Sequence, residues 1–423
     1  MMKYLLTFLS VFMCFYLMFH SISLAEEEKH FLSLQKALVI AQEKNPTIIE
    51  ARKKVKIIES RFKNSKKLEN PELDIEVAKI AYDLENAASF NDRILEGEVR
   101  LNQPIHAWGK RGLSIMIAED TLIQAQYELQ GLWLDIAHDV KKQYNEALLQ
   151  QRNIDLTKDH LERAQRFYEQ VNIRFNSGKA RNHELARAKL EMSNTRNTFL
   201  EAESNFYIAM GKLNILLGQN VQEKIRLKDS LTHVDLEAHM DDLLEFAVRQ
   251  RADILSQNRE LSKKDKQLQL AKRQRLPDVN LGLFVEKEDE IYSAGAGISL
   301  ELPLWNQFQQ DVKEAALEKV IAEIHLDTLK KAAALHVYAA YKNAQLASQS
   351  IHNLEQSINE ANELLRILTI EYQEGKATFL VYLDGLTSFK ETKQNYLASL
   401  ANYNDKIAEL EQAVGKTLMK EEQ

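Results

Sequence analysis

Cysteine is nearly absent from this chain of 423 residues, and the single example, Cys14, lies close to the N-terminus. The first 25 residues have the pattern of a secretory signal peptide, with Lys3 before an apolar run and small residues before Glu26. A membrane anchor is the alternative, but the run from Tyr4 to Phe19 has about 16 residues, whereas a single span needs ~20. Cleavage after Ala25 would remove the cysteine. The mature chain is therefore predicted to have no disulfide, no thiolate nucleophile and no cysteine-bound zinc.

Long apolar runs and an excess of positive charge are also lacking. No segment after the signal is long and apolar enough for a membrane-spanning helix, so any membrane crossing would have to use strands. The chain has 62 acidic and 55 basic residues and a net charge of −7, and removal of Lys3 with the signal makes it −7 − 1 = −8. This balance argues against nucleic acid as a partner.

Catalytic and cofactor-binding motifs are missing as well. Gly211-Lys212-Leu213 lacks the first glycine and the hydroxyl residue of a phosphate loop, and no His-Glu-x-x-His sequence occurs. The histidines are scattered, and His233 and His239 are too isolated in the sequence to indicate a metal site. We therefore expect no catalytic residues, no cofactor and no metal site, and we do not expect an enzyme.

Proline is scarce too, and the five examples divide the chain. They stand at 46, 71, 104, 277 and 303, which leaves the segments 105–276 and 304–423 without one. Since proline breaks helix interiors, both segments are free to form long helices. Stretches of roughly 111–175 and 307–372 are rich in Ala, Leu, Glu, Lys and Gln, with apolar residues three and four apart. This pattern predicts two very long helices that pack as coiled coils.

Both long segments end in the same short phrase. Phe175-Asn176-Ser177-Gly178-Lys179-Ala180 is echoed by Tyr372-Gln373-Glu374-Gly375-Lys376-Ala377. Gly178 and Gly375 supply the positive φ that ends a helix, and a second helical pattern follows each of them. The sequence therefore predicts two helical hairpins, at about 111–217 and 307–415, with these two glycines at their turns.

The echo extends over the whole mature chain. The paired positions, which are 197 to 206 residues apart, are Gly178/Gly375, Gly218/Gly415, Pro104/Pro303 and Pro71/Pro277. We predict a tandem duplication, with a signal peptide at 1–25, a first repeat at 26–220 and a second repeat at 221–423. The offset shrinks from 206 to 199 between the two proline pairs. The first repeat therefore has extra residues between its prolines, where we expect a loop.

Between the paired prolines the apolar period changes to two, which indicates strands. One strand hairpin is predicted at about 72–103 and a second at about 278–302, and only Phe284 departs clearly from the alternation. Each strand has about ten residues and could cross a bilayer when tilted. The polar face is expected to line a wet lumen, and it carries Asp74, Glu76, Glu96, Glu98 and Glu301.

Four strands cannot close a barrel, and open sheet edges do not occur in lipid. Several copies would therefore have to share one barrel, and three protomers would supply twelve strands, an even number within the range of outer-membrane barrels. A soluble sheet with one solvated face is the alternative.

Trp108 and Trp305 each follow the proline that closes a strand hairpin, Pro104 or Pro303. Tryptophan at such a place is typical of the aromatic belt at a membrane interface. Each could equally pack at the join between strand and helix, and the sequence leaves the two interpretations open.

The proline-bounded strand pairs, the repeated aromatic-x-x-Gly-Lys-Ala turns and the two terminal Leu…Gly phrases resemble the TolC-type outer-membrane efflux family, over about residues 30–417. The resemblance implies a mainly α-helical fold with a transmembrane β-barrel. A homotrimer would form a twelve-stranded barrel within outer-membrane lipid and a twelve-helix periplasmic tunnel. It would dock to a periplasmic adaptor and an inner-membrane pump. Gly109-Lys110-Arg111 is similar to a phrase common in the heavy-metal, CzcC-like branch, although Gln307 stands where that branch often has arginine.

The resemblance also implies a periplasmic gate. In this family, acidic residues just past the second helix turn ring the closed entrance, and alignment on the turn glycine carries that role to Asp384. A second acidic position falls on Val381, which halves the expected charge. Tyr372 matches the gate tyrosine, Glu184 matches an acidic position near the same tip, and Ala377 replaces a frequent basic residue. The alternative is that Asp384 and Glu184 are ordinary solvated residues.

These features predict a passive exit duct in the outer membrane, part of a tripartite efflux system for small molecules or metal cations. An exit duct for type I protein secretion is an alternative that the sequence does not separate from it. A periplasmic coiled-coil adaptor belongs to a different class. It should have one helical hairpin within β-rich domains, whereas this sequence predicts two hairpins and four strands.

Overall fold

A computed structural model describes residues 31–80, 95–288 and 291–418. The predicted signal peptide and Glu26 lie outside these residues, and so does the segment 81–94 between the first two long strands. The helices of the described residues are α1 (Leu34–Lys44), α2 (Pro46–Ser65), α3 (Lys110–Asn176), α4 (Asn182–Leu216), α5 (Met240–Gln250), α6 (Ala252–Gln274), α7 (Gln309–Gln373) and α8 (Phe379–Val414). The strands are β1 (Phe31–Leu32), β2 (Glu72–Ile80), β3 (Leu95–Ile105), β4 (Arg226–Leu227), β5 (Val279–Glu288) and β6 (Ile291–Leu300).

The fold is mainly helical with few strands, as predicted, and its two long helical hairpins are α3–α4 and α7–α8. None of the helices in the described ranges is both long enough and apolar enough to span a membrane. The boundary between the two predicted repeats, near residue 220, stays a prediction.

Both long helices end at a glycine in the left-handed region, with φ of 72° at Gly178 and 75° at Gly375. The same backbone bond closes each turn. The amide of Lys179 donates to the Arg174 carbonyl at 2.7 Å, and the amide of Lys376 donates to the Glu371 carbonyl at 2.8 Å. This bond across the end of the helix, together with the left-handed glycine, is the Schellman motif. The repeated phrase therefore has the same local structure in both hairpins.

Each of the return helices α4 and α8 accepts a hydrogen bond at its C-terminal end. The donor is the residue that separates two consecutive helices elsewhere in the chain. Between α1 and α2, the Asn45 side-chain amide donates to the Leu216 carbonyl at 2.8 Å. Between α5 and α6, the Arg251 guanidinium donates to the Ala413 carbonyl at 2.8 Å. Asn45 also caps α2, because its Oδ1 accepts the amide of Thr47 at 2.9 Å. The two halves thus use different side chains for the same connection.

The chain forms two compact units, and each draws on both halves of the sequence. The helical unit consists of residues 31–50, 131–251 and 332–418. The sheet unit contains the four long strands together with the adjoining helical segments, within 51–130 and 252–331. Neither unit therefore coincides with a single predicted repeat.

The helical unit has a core of small and branched side chains, into which two tyrosines are fully buried. The Tyr144 hydroxyl lies 2.8 Å from the Leu32 carbonyl and 2.9 Å from Asp229 Oδ2. Leu32 belongs to β1, which pairs in parallel with β4. The Tyr403 hydroxyl donates to the Val234 carbonyl. The buried tyrosines therefore fasten non-helical segments onto the long helices.

The sheet unit is built on a four-stranded antiparallel sheet in the order β2-β3-β5-β6. The first strand hairpin extends further than predicted, because β3 continues through Pro104 to Ile105. Proline lacks an amide donor and is normally excluded from strands with two neighbours. Here Pro104 pairs with Asn280 on one side only, since the pairing of β2 ends at Glu72 opposite Asn102. The proline is tolerated because it stands where the second neighbour has ended.

A histidine is buried between the long helices of the helical unit. His160 on α3 is 4% exposed, and its Nε2 has no hydrogen-bond partner among the described residues. Burial lowers the pKa of His160 to about 4, and Lys390, Arg163 and Lys393 act in the same direction, while Asp159 opposes them. His160 is therefore neutral at pH 7 in the folded chain.

We expect His160 to make the helical unit less stable in acid. The unfolded chain takes up a proton near pH 6.5 and the folded chain only near 4. The free energy of unfolding therefore falls as the pH drops through this window, by up to about 3 kcal/mol. A His160→Gln variant should lose most of this slope. Chemical unfolding followed by circular dichroism between pH 7 and pH 4.5 measures it, with His336→Gln, an exposed histidine of α7, as the control. Equal slopes in the wild-type protein and His160→Gln would contradict the assignment.

Candidate functional site

One face of the sheet carries large apolar side chains that remain exposed. Neighbouring strands align them in rows, one of which runs from Leu73 through Leu101 and Leu283 to Ala296. Leu73 and Leu283 are 60% and 61% exposed, and Ile298 on β6 is 71% exposed. A contiguous apolar surface of this kind marks a site for lipid or for another protein.

The opposite face of the sheet is polar and acidic. Glu76, Glu98 and Glu286 are paired directly across β2, β3 and β5, so that three carboxylates stand in one row. The Arg100 guanidinium lies 2.6 Å from Glu98 Oε1 on the same face. Like charges in direct cross-strand pairs are unfavourable. Arg100 offsets one of these charges, and the other carboxylates favour water or cations next to them.

Three of the five polar residues predicted to share one face of the sheet lie on it. Asp74, Glu76 and Glu98 lie on this face, and Asn102 donates to Asp74 Oδ2 at 2.6 Å. The backbone of Glu96 pairs with Lys79, but the Glu96 side chain is outside the described residues. Glu301 follows the last residue of β6.

Phe284, the exception to the alternation, lies on the polar face opposite Gly295. A Cβ atom on Gly295 would stand 2.6 Å from the Phe284 ring, so the glycine makes room for the aromatic side chain. The Arg100 guanidinium lies 5.7 Å from the ring centroid, within the range of a cation–π contact. The ring thus packs on the sheet backbone without interrupting the polar face.

The first junction between strand and helix joins the two strand hairpins within the sheet unit. The Trp108 indole donates to the Pro277 carbonyl at 2.8 Å. Lys110 Nζ donates to the Leu276 carbonyl at 2.7 Å and lies 3.1 Å from Asp278 Oδ1. Each side chain therefore binds the segment that leads into β5.

The Gly109-Lys110-Arg111 phrase has a structural explanation at this junction. Gly109 has a φ of 72°, and a Cβ atom there would stand 2.3 Å from the Arg273 guanidinium. Arg273 donates to the Trp108 carbonyl at 3.0 Å, and Arg111 donates to the Lys66 carbonyl at 2.6 Å. The phrase thus fixes three chain segments around the start of α3.

The second junction is built differently. Trp305, two residues after Pro303, is 91% exposed, compared with 55% for Trp108. Phe308 takes a positive φ of 55°, and its amide donates to Asn306 Oδ1 at 3.0 Å. The packing interpretation therefore fits Trp108 better than Trp305, whose ring is almost fully available to an external partner.

Near the helix turns an aromatic cluster connects the two hairpins. The Phe167 ring on α3 stacks on Phe379 of α8 with centroids 4.6 Å apart, and lies 5.6 Å from Tyr372 of α7. Tyr372 and Tyr382 stack at 5.2 Å. Ala188 of α4 is buried against the same cluster. All four long helices therefore meet in one apolar contact close to their turns.

The structure brings two of the three predicted gate residues together. Burial raises the pKa of the Tyr372 hydroxyl, Arg174 lowers it and Glu184 raises it further, so both charged side chains lie near it. Asp384 is exposed on α8. The following residue, Gly385, is buried so closely against α7 that a Cβ atom would stand 2.3 Å from Leu368. Asp384 is thus left on the exposed surface of the hairpin.

Phe167, Phe379 and Tyr382 were not predicted from the sequence as members of a site. A signal was present, since Phe379 and Tyr382 are three residues apart and Phe167 and Val171 are four apart, next to the turns. This spacing places each pair on one helix face. It does not show that the two faces meet.

A family model described as outer membrane efflux protein matches residues 37–219 and 243–416 of this chain. The two matched segments leave out only the connection between the predicted repeats and the two ends.

Individual relatives share little sequence identity with this chain but align with it over most of their length. The cobalt-zinc-cadmium resistance protein CzcC of Cupriavidus metallidurans is 21% identical over 388 residues, which is 91% of this chain and 90% of that protein. The outer membrane protein VceC of Vibrio cholerae is similar in structure with a TM-score of 0.74 and 19% identity, over 91% of this chain and 97% of VceC. The CmeC outer membrane channel of Campylobacter jejuni gives 0.75 and 17% identity, over 92% and 87%. At these identities the two structures establish the fold.

The register predicts that lipid contact alternates along β5 and β6. Single cysteines at Leu283 and Ile298 should react poorly with a membrane-impermeant maleimide in intact membranes, because both side chains lie on the apolar face. Cysteines at the adjacent positions Phe284 and Ser299 are the matched controls and should react well. Labelling yields measured by gel shift decide the question. Equal labelling of neighbouring positions would mean that this face does not contact lipid.

Proposed function

The chain belongs to the outer membrane efflux protein family, and on this premise we propose that three copies form one passive exit duct through the outer membrane. The observation that carries the proposal is the four-stranded sheet with an exposed apolar face. Within one chain β2 and β6 are its outer strands, and each would leave a row of unpaired backbone groups in lipid. Pairing β2 of one copy with β6 of the next satisfies both edges.

Three copies then supply a twelve-stranded barrel, and their long helices supply a twelve-helix periplasmic tunnel. The apolar face would contact lipid, and the acidic face would line the lumen. A passive duct of this kind needs no catalytic residue, cofactor or energy source of its own. We therefore propose that transport is driven by partners, namely a periplasmic adaptor and an inner-membrane pump, and that no nucleic acid is involved.

Metal cations are the cargo that we propose. The CzcC relative is named for resistance to cobalt, zinc and cadmium. Independently, the Glu76, Glu98 and Glu286 row would place three carboxylates from each protomer on the lumen wall. A pore lined by rings of carboxylates favours cations over anions.

The gate is proposed at the turns of the hairpins. Asp384 from three copies would form an acidic ring near the pore axis, and Tyr372, supported by the aromatic cluster, would hold the adjacent helices closed. Glu184 lies close enough to Tyr372 to influence its hydroxyl. Gly178 and Gly375 fix the turns on which these side chains depend.

Assembly tests the proposal as a whole. We expect the mature protein in the outer-membrane fraction, with a native mass in detergent three times that of one chain. Leu283→Arg should reduce the yield of trimer, because a lipid-facing arginine costs up to ~2–4 kcal/mol in such barrels. Ser299→Arg, on the polar face of β6, should assemble normally. Recovery as a soluble periplasmic monomer would refute the duct.

Charge removal at Asp384 tests the gate. In planar bilayers, Asp384→Asn should reduce cation selectivity and weaken block by multivalent cations, since three carboxylates would be lost at the narrowest point. Trimer assembly should stay intact, because the side chain is exposed. Glu360→Gln, an exposed acid about four turns before the α7 turn, is the control. Selectivity and block unchanged in assembled Asp384→Asn trimers would place the gate elsewhere.

A further inference from the structure

Three side chains that can bind a metal come together in the helical unit, away from the turns. His233 and Asp235 lie on the connection between β4 and α5, and His352 lies on α7. One ligand atom from each lies within 4.8 Å of the other two. His233 and His352 are 119 positions apart in the sequence, so the cluster exists only in the folded chain.

The distances fit a small ion after minor rotation of the side chains. His233 Nε2 and Asp235 Oδ1 are 3.6 Å apart, close to the ~3.3–3.5 Å that separates ligand atoms around a tetrahedral zinc ion with bonds of ~2.0–2.2 Å. The His352 ring stands edge-on to the His233 ring, with centroids 5.2 Å apart and an interplanar angle of 88°. Two imidazoles and one carboxylate are a ligand set that Zn²⁺ accepts with a fourth position left to water.

The surroundings resemble the outer shell of a metal site. His352 Nδ1 lies 3.6 Å from Glu355 Oε2, and a small rotation would bring the two into a hydrogen bond that orients the ring and leaves Nε2 for an ion. The Ser348 hydroxyl lies 3.0 Å from His233 Nε2; an ion on Nε2 would replace this hydrogen bond and leave the hydroxyl to bind a water in the fourth position. Asp235 and Glu355 together would balance the charge of a divalent ion.

The loop that carries two of the ligands is held in place from beneath. The fully buried Tyr403 of α8 donates to the carbonyl of Val234, the residue between His233 and Asp235. Its ring also packs against the His233 ring at 4.7 Å. The His233 side chain is 11% exposed, whereas those of Asp235 and His352 are 74% and 58% exposed. The first ligand is therefore fixed in advance, and the other two remain open to ions from solvent.

We propose that His233, Asp235 and His352 bind one divalent transition-metal ion of the Zn²⁺ class in each chain, and that the ion fastens the connection between β4 and α5 to α7. The site uses none of the residues assigned to the proposed lumen and gate, and it does not depend on what the duct transports. The bound ion would be retained by the protein, since nitrogen and carboxylate ligands on two segments hold it at once.

Calorimetric titration of the purified, tag-free protein with ZnCl₂ after chelator treatment tests the site. We expect binding of one ion per chain that is weakened at least ~10-fold in His352→Gln and in Asp235→Asn. Both residues are exposed, so folding should be unaffected. His336→Gln, an exposed histidine on the same helix, should bind as the wild-type protein does.

A second readout identifies the ligands. Co²⁺ should give the intense visible absorption of a four-coordinate site with nitrogen ligands in the wild-type protein and in His336→Gln, and lose it in His352→Gln. Absence of binding to the wild-type protein would overturn the proposal. So would equal binding in the wild-type protein and His352→Gln, because the ion would then lie elsewhere. Neither result would bear on trimer assembly or on conductance, which test the duct itself.

Discussion

A four-stranded sheet that exposes its apolar face is the constraint on which the other features of this protein depend. Burial of one large aliphatic side chain is worth roughly 1.5–3 kcal/mol, and the sheet leaves a row of them exposed on each strand. The outer strands β2 and β6 present further unpaired backbone groups. A single chain cannot satisfy both demands in lipid. In the proposed assembly, pairing with further copies would satisfy the edges and lipid would satisfy the apolar face, so the outer-membrane location and the proposed oligomer have one physical cause.

In the two halves of the duplicated sequence, the features set by backbone geometry are alike, whereas the contacts made by side chains differ. The turn glycines Gly178 and Gly375 close α3 and α7 with the same hydrogen bond. At the junctions, by contrast, Trp108 binds the Pro277 carbonyl, whereas Trp305 is exposed. A repeat can thus preserve its architecture while its two halves acquire separate contacts.

Sequence patterns predicted those parts of the structure that depend on local chemistry. The apolar period of two predicted which residues share a face of the sheet, and the turn glycines predicted where the long helices end. Both features follow from backbone geometry. The sequence did not show that β3 continues through Pro104, since whether a proline interrupts a strand depends on where the neighbouring strand stops. Phe284 looked like an exception because it is an apolar residue on the polar face. The space for its ring comes from Gly295 on the neighbouring strand, which the local pattern does not show. The aromatic cluster and the His233–His352 proximity depend on which helix faces meet, and one chain's periodicity does not contain that information.

In the functions proposed above, transit and retention of a cation require opposite chemistry, and different residues would serve the two. Along the sheet, Glu76, Glu98 and Glu286 stand on separate strands, so they would offer a passing cation single carboxylate contacts that do not enclose it. Conduction needs such weak and multiple contacts, since an ion that binds tightly does not leave. Around His233, imidazole nitrogens and a carboxylate converge on one point and are supported by Tyr403 and Glu355. A lumen lined with imidazole clusters of that kind would trap zinc-like ions, so in the proposed duct the lumen is better lined by separate carboxylates than by converging imidazoles.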